Sequence, residues 1–183
     1  TLNRLSAPDL EGKVLAITSK IVSLSERRLV SKERIEKGAL VKREADVFLG
    51  EIGQGCILTI KHGLLIPSAG IDESNSELGH YILFPEFPFE SARKLRRQLL
   101  EAWNLKRLGI LITDSHTSPL RKGVTGIALS HAGFRGVNNH VGEKDLFGRE
   151  LKMTQVNAPD ALSAAAVFCM GESNESCPIA LIN

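Results

Sequence analysis

The sequence lacks the features that mark secreted, disulfide-stapled and membrane proteins. Its three cysteines, Cys56, Cys169 and Cys177, form no CxxC pair, which argues against a zinc site or a disulfide framework. No apolar run reaches the roughly 20 residues of a membrane helix. The first residues also lack the charged-then-apolar order of a signal peptide. We therefore expect a cytoplasmic protein with no membrane partner.

Charge of either sign is not in excess. The formal net charge is +2, and basic and acidic residues are interspersed apart from a basic stretch at residues 93–97. Nucleic acids are bound by much more basic surfaces, so we expect no nucleic-acid partner. The 183 residues, 43% of them hydrophobic, suffice to bury a core, and we expect a single domain over residues 1–183.

The common phosphate-binding and hydrolytic motifs are missing as well. There is no GxxxxGK[ST] loop, no GxGxxG after a strand, no GxSxG elbow and no HExxH pair. Any bound nucleotide must therefore be held by another arrangement. The histidines show no metal-ligand spacing, and we expect most of them to be surface or structural residues: His62, His80, His116, His131 and His140.

Hydrophobic periodicity predicts more strands than helices. Residues 90–103 form the clearest helix, because apolar side chains recur every three or four positions from Ala92 to Trp103. Residues 159–170 form a second helix, and the charged residues 31–50 show a weaker helical pattern. Short apolar runs predict strands at residues 14–18, 57–60, 64–66, 81–83, 108–113, 125–130 and 179–182. This order predicts an α+β fold of mixed or antiparallel sheets with packed helices.

Three acidic residues follow predicted elements and are candidate metal ligands. Asp114 ends the strand at 108–113, where rigid backbone can aim a carboxylate at Mg²⁺ or Mn²⁺, although Asp also caps turns. Asp72 lies among the small and polar residues 69–75, which fit either a ligand loop or a polar turn. Glu172 follows the 159–170 helix and Gly171, so it is either a ligand or part of a solvated helix end.

A fourth candidate is basic. Arg121, in the run Arg-Lys-Gly at 121–123, can clamp a phosphate or a carboxylate with its planar guanidinium group. The same run also fits a solvated basic turn.

Seven segments, taken in order, resemble the coenzyme F420-0:γ-glutamyl ligase family. Together they cover most of the chain: residues 14–28, AGIDESN at 69–75, SARKLRRQL at 91–99, LGILITDS at 108–115, LRKGVTGIALSHAG at 120–133, GEKDLFGREL at 142–151 and APDALSAAAVFCMGE at 158–172. Seven motifs in the right order are much more specific than any one of them.

The resemblance implies an acid–amino-acid ligase that uses GTP and Mg²⁺ or Mn²⁺ and assembles as a homodimer. GTP would phosphorylate a carboxylate of the acceptor, F420-0 or a related small molecule, and the amine of L-glutamate would attack the acyl phosphate. Asp72 and Asp114 would hold one metal ion, and Ser115 and Glu172 a second. Arg121 joins Asp72 and Asp114 as a catalytic candidate. The resemblance places the GTP contacts at Ser19, Lys20, Asn75, Met170, Gly171, Glu172, Ser173 and Asn174.

The sequence departs from the family pattern at several positions. Leu24 stands where the family has a nucleotide-contacting lysine, Ser118 where it has an arginine, and Asn139 where it has an acid. The N-terminal segment and the stretch before residue 69 are also shorter than is usual. Two other functions therefore stay open: a catalytically impaired nucleotide- and metal-binding module, and a metal-dependent phosphohydrolase.

Overall fold

The computed structural model of the chain describes residues 6–53, 55–74 and 79–183. Helices and strands are mixed along these residues, as expected for an α+β fold. The helices are α1 (Ala7–Leu10), α2 (Ser19–Ser25), α3 (Lys37–Glu44), α4 (Pro88–Trp103) and α5 (Ala158–Met170). The strands are β1 (Val14–Thr18), β2 (Leu29–Ser31), β3 (Val47–Gly53), β4 (Cys56–Lys61), β5 (Leu64–Pro67), β6 (His80–Ile82), β7 (Gly109–Thr117), β8 (Val124–Ala132), β9 (Val137–Asn139), β10 (Gln155–Asn157) and β11 (Ile179–Ile182).

A four-stranded sheet in the order β11-β1-β7-β8 forms the centre of the fold. β1 runs parallel to β7, and the other two pairs are antiparallel. Helices cover both faces, which explains the apolar sequences of β1 and of the first four residues of β7. Leu15 and Ile110 belong to the core cluster that contains Ala92 and Leu99 of α4, whereas Ala16 and Leu111 belong to the cluster that contains Ala166 and Met170 of α5.

Helix α5 lies very close to β8. A Cβ atom on Gly126 would collide with the backbone carbonyl of Ser163, so this approach requires glycine. The first turn of α5 is also attached to the strand. Asn157 caps it by accepting from the Asp160 amide, and Asp160 Oδ1 accepts a hydrogen bond from the Ala128 amide at 2.9 Å.

The second part of the core lies between α3, the β3-β4-β5 sheet and the β2-β6 pair. Leu40 and Val41 of α3 pack there with Ile57 of β4 and Tyr81 of β6. No helix among the described residues is long and apolar enough to cross a membrane.

The strand predictions hold best in the interior. The predicted strands at 14–18 and 179–182 match β1 and β11, and those at 57–60 and 64–66 match β4 and β5, which pair as a hairpin. The prediction that a strand ends at Asp114 is wrong, because β7 continues to Thr117 while paired with β8. The helical pattern over residues 31–50 is only partly right, since β3 begins within that range.

Candidate functional site

A cavity of about 350 Å³ opens at the carboxyl end of β1, beside residues 113–115 of β7. Thr18 pairs with Thr113 at the end of the parallel register, and helix α2 begins at the next residue, Ser19. The cavity is completed by the end of α5 and the loop that follows it. Its lining comprises Thr18, Lys20, Ile21, Leu24, Thr113, Asp114, Ser115, Val167, Met170, Gly171, Glu172, Ser173, Asn174, Glu175, Ser176, Cys177 and Pro178.

The carboxyl group of Asp114 is packed into the wall of this cavity. It accepts hydrogen bonds from the Ser19 hydroxyl and, at 2.8 Å, from the amide of Ser115. Burial raises the pKa of Asp114 to about 6, against the lowering effect of Lys20, and the nearby Asp72 charge adds to the increase. Burial removes the water that would otherwise stabilise the charge of this carboxylate. A cation bound next to it would supply that stabilisation.

Lys20 lies between the acidic residues. Its Nζ atom is 2.7 Å from Oδ2 of Asp72. Burial opposes the charged form of Lys20, but the bond to Asp72 and the charges of Asp114 and Glu172 outweigh it, and the pKa of Lys20 is raised. The three acids that sequence reasoning selected thus act on one ammonium group.

The position of Asp72 is fixed by an unusual turn. Ser68 and Ala69 both have φ of 52° in the 3₁₀ turn that precedes Asp72, a left-handed conformation that non-glycine residues rarely adopt. The Ala69 amide donates to the hydroxyl of the fully buried Thr59 at 2.8 Å. The backbone of Asp72 then pairs with Ile82 in an isolated bridge. These bonds support a strained segment next to a candidate ligand, as is common at functional sites.

Lys20 and Ser74 hold the Asp72 side chain in its ionised form. The Ser74 amide donates to Oδ1 at 2.7 Å, and the Ser74 hydroxyl and Lys20 donate to Oδ2. Burial alone would raise the pKa of Asp72, but these bonds outweigh it and the pKa is lowered. Asp72 is therefore a charged oxygen donor at neutral pH.

Helix α5 ends in a loop that forms another wall of the cavity. Gly171 terminates the helix with φ of 82° and ψ of 168°, and a Cβ atom there would collide with the carboxyl group of Glu175. Glu175 Oε2 accepts from the Ser173 amide at 2.8 Å. The glycine and Glu175 together hold the loop in a tight turn, and Glu172 is carried within it.

The donor set fits a divalent metal whose coordination is completed by phosphate oxygens. Asp72, Asp114, Ser115 and Glu172 offer the oxygen ligands that Mg²⁺ and Mn²⁺ prefer. Among the described residues, no group of three His, Cys, Asp or Glu side chains is arranged to hold one ion. Mg²⁺ usually takes only one or two protein carboxylates and keeps the remaining positions for phosphates and water.

One side of the cavity is apolar. Ile21 and Leu24 lie three residues apart on α2 and line the cavity, and they are 43% and 38% exposed. Val167 and Met170 line it from α5. The site thus has a charged part around Lys20 and an apolar part along α2.

The structure brings most of the predicted site residues together. Asp114, Ser115, Lys20 and residues 170–174 line the cavity, Ser19 binds Asp114, and Asp72 is joined to it through Lys20. Arg121 does not line the cavity and lies in the exposed turn between β7 and β8. Asn75 lies outside the described residues.

Sequence reasoning did not name the apolar lining residue Ile21, and it did not foresee the bond by which Glu175 holds the loop. The spacing of Ile21 and Leu24 on a helix that directly follows a buried strand was the available signal for the apolar part. Of the departures from the family pattern, Leu24 lies in the cavity. Asn139 lies on β9, where its side chain accepts from the Val141 amide at 3.1 Å.

The chain is similar to known proteins over nearly all of its length. The profile of the F420-0:Gamma-glutamyl ligase family matches residues 7–183. The Coenzyme F420:L-glutamate ligase of Methanopyrus kandleri is 38% identical over 185 residues, covering 92% of this chain and 73% of the relative. The protein of the same name from Methanocaldococcus jannaschii is 36% identical over 192 residues, covering 96% and 76%. A third, from Methanothermobacter thermautotrophicus, is 34% identical over 94% of this chain and 75% of the relative. The chain therefore belongs to the F420-0:gamma-glutamyl ligase family.

Proposed function

We propose that the protein is a GTP- and divalent-metal-dependent ligase that joins L-glutamate, through its amino group, to a carboxylate-bearing small molecule. The relatives are named for coenzyme F420 and L-glutamate, so F420-0 or a related acceptor is the first substrate to consider. The reaction passes through an acyl phosphate. The ammonium of Lys20, surrounded by Asp72, Asp114 and Glu172 at one cavity, is the observation that carries the proposal.

The arrangement suits phosphoryl transfer better than hydrolysis by a protein nucleophile. Its charged part offers carboxylates and an ammonium group, and no serine elbow is present in the sequence. Phosphoryl transfer needs mainly positioning and neutralisation of charge on the transferred group. Two divalent metals, one held by Asp72 and Asp114 and the other by Ser115 and Glu172, would supply that neutralisation at the phosphate oxygens.

The protein groups then have distinct roles. Lys20 donates to the phosphate chain, and the loop at residues 171–177 closes over the nucleotide. The acceptor carboxylate attacks the γ-phosphorus of GTP, the bond from that phosphorus to the bridging oxygen breaks, and GDP leaves. The amine of glutamate next attacks the acyl carbon, loses a proton to water or buffer, and expels inorganic phosphate as the amide bond forms.

The direct test is a coupled assay with purified protein, GTP, Mn²⁺, L-glutamate and F420-0. We expect GDP and phosphate to appear in equal amounts only when both glutamate and the acceptor are present. Phosphate release without either one would instead indicate a phosphohydrolase. Metal-dependent GTP binding without turnover on F420-0 or related carboxylates would indicate an impaired binding module.

The homodimer that the resemblance implies is part of the same proposal. The side chains of Leu146, Phe147 and Met153 are 98%, 83% and 88% exposed in the segment between β9 and β10. Isolated exposed apolar residues are common, but three large ones in one segment support a contact surface. Light scattering after size exclusion would give twice the 19.9 kDa chain mass if the proposal is right and a single chain mass if it is wrong.

A further inference from the structure

The charged part of the cavity already contains one bound cation, the ammonium group of Lys20. Its Nζ atom is 2.7 Å from Oδ2 of Asp72, and the charges of Asp114 and Glu172 also act on it. Lys20 is three-quarters covered by protein, with 24% of its side chain exposed. We propose that Lys20 makes the site unable to hold a divalent metal alone, so that metal and nucleotide bind together. This inference rests on the proposed function.

The charges around Lys20 determine how strongly the site attracts a free metal ion. The charges of three acids act on Lys20, and its Nζ atom is already paired with Asp72 Oδ2 at 2.7 Å. The ammonium group therefore cancels one of these negative charges. A free Mg²⁺ or Mn²⁺ ion would therefore meet a smaller net attraction, and it would be repelled by a positive group a few ångströms from its ligands.

A metal–nucleotide complex changes this balance. The triphosphate carries several negative charges, so it attracts the Lys20 ammonium as well as the metal. Lys20 can then transfer its hydrogen bond from Asp72 to a phosphate oxygen, and Asp72 Oδ2 becomes available to the metal. Lys20 is thus a positioning residue that links release of a ligand oxygen to arrival of the phosphates.

In the described part of the chain, no other cation is paired with Asp72. Among the described residues, the structure shows no ion pair of Asp72 other than that with Lys20, and Lys20 is the lysine that lines the cavity. The remaining donors to the Asp72 carboxylate, both from Ser74, are neutral. Removing the charge of Lys20 should therefore leave Asp72 Oδ2 without a cationic partner and open to a metal.

The test measures metal binding without turnover. Mn²⁺ binding would be followed by titration calorimetry and by the signal of free Mn²⁺ in electron paramagnetic resonance, with and without GTP. The proteins would be the wild type, Lys20→Met, Lys20→Arg and Lys152→Met. Lys152 is an exposed residue for which the described structure shows no ion pair, so Lys152→Met controls for loss of a surface charge. Circular dichroism would confirm that each variant is folded.

We expect the wild type and Lys152→Met to bind Mn²⁺ weakly without GTP. Lys20→Met should bind Mn²⁺ alone about tenfold more tightly or better, the size expected for removal of a close like charge. Lys20→Arg, which keeps the charge, should resemble the wild type. Because Lys20→Met cannot hold the phosphates, GTP should improve its Mn²⁺ affinity less than it improves that of the wild type.

Equal Mn²⁺ affinities of the wild type and Lys20→Met would overturn the inference, as would tight Mn²⁺ binding by the wild type alone. Either result leaves the proposed function standing if the wild type binds Mn²⁺ and GTP together. If the wild type binds neither, the proposed function fails, and the comparison of the two proteins in Mn²⁺ alone still decides the role of Lys20.

Discussion

Thr18 on β1 and Thr113 on β7 are paired at the last position of a parallel register. The chain turns into α2 directly after Thr18, whereas β7 continues past Thr113 beside β8. Asp114 is consequently the first residue of β7 that lacks β1 as a neighbour, and the Ser19 hydroxyl can reach its carboxyl group. Ending one strand four residues before its partner creates the cavity.

The variant Asp114→Asn should lose metal-dependent GTP binding and ligase activity while remaining folded. Burial raises the pKa of Asp114 to about 6, so ionising it above that pH costs free energy in the unliganded protein, and a neutral amide avoids this cost. We expect the melting temperature without ligands to stay the same or rise. Mn²⁺ with GTP, at a ligand concentration 100 times the dissociation constant, should stabilise the wild type by about 2.7 kcal/mol and so raise its melting temperature. This stabilisation should disappear in Asp114→Asn.

The matched control for this variant is Glu33→Gln, which removes the charge of an exposed acid that does not line the cavity. It should keep both the activity and the ligand-induced shift. Unfolding of Asp114→Asn, combined with no effect of metal and GTP on the wild-type melt, would mean that Asp114 is a structural residue.

The variant Gly171→Ala should weaken GTP binding by displacing the loop after α5. The new Cβ would collide with the Glu175 carboxyl group, and the backbone has φ of 82°. Gly148→Ala is a useful control, because Gly148 has φ of 80° with no atom within 4 Å of an added Cβ. Both variants should lose about 1–3 kcal/mol of stability from backbone strain, but calorimetry should find weaker GTP binding only in Gly171→Ala. Equal GTP affinities would mean that the loop is not part of the nucleotide site.

The variant Leu24→Lys should tighten GTP binding. Leu24 lines the cavity from α2 and is 38% exposed, so a lysine there has both a path to solvent and a route to bound phosphates. One added charge-assisted hydrogen bond is worth roughly 1.5–3 kcal/mol. Leu24→Met keeps the size without the charge and should leave the affinity unchanged. If Leu24→Lys binds GTP no better than Leu24→Met, the phosphates do not pass along this face of α2.

The stability of the protein should depend on His62 at mildly acidic pH. Burial, together with the charge of Lys61, lowers the pKa of His62 from 6.5. The unfolded chain therefore takes up a proton at a higher pH than the folded protein does. The contribution of neutral His62 to the free energy of unfolding is fully present above pH 6.5 and is lost as the pH falls below that value.

Denaturant unfolding of the wild type and His62→Asn between pH 7.5 and 5 would measure this effect. Asn tolerates the left-handed backbone of this position, where φ is 53°. The variant should start less stable, because the ring stacks on Phe84 and contacts the Pro85 carbonyl. Its loss of stability on acidification should be smaller than that of the wild type, and parallel curves would assign the pH dependence to other groups.

The sequence alone was enough to predict the elements whose apolar pattern is strong. The apolar runs of β1 and β11, the strands β4 and β5 and the periodic face of α4 follow directly from hydrophobic spacing. The cap of α5 at Asn157 and Asp160 is also local, so the start of that helix was readable. The exposed strands β3, β9 and β10 were not predicted, because residues without a buried face leave no alternating pattern.

The sequence also determined which acids to examine, since Asp72, Asp114 and Glu172 stand out by position and by the motifs around them. Their meeting at Lys20 was decided only by the tertiary structure. Lys20 and Asp72 are separated by 52 positions. They meet because α2 contacts β6, and the backbone of Asp72 is bridged to Ile82 of that same strand. Tertiary structure also places Arg121 outside the cavity, because β7 extends beyond the cavity and the turn that follows it lies in solvent. Strand lengths and packing are set by long-range contacts, which local sequence patterns do not encode.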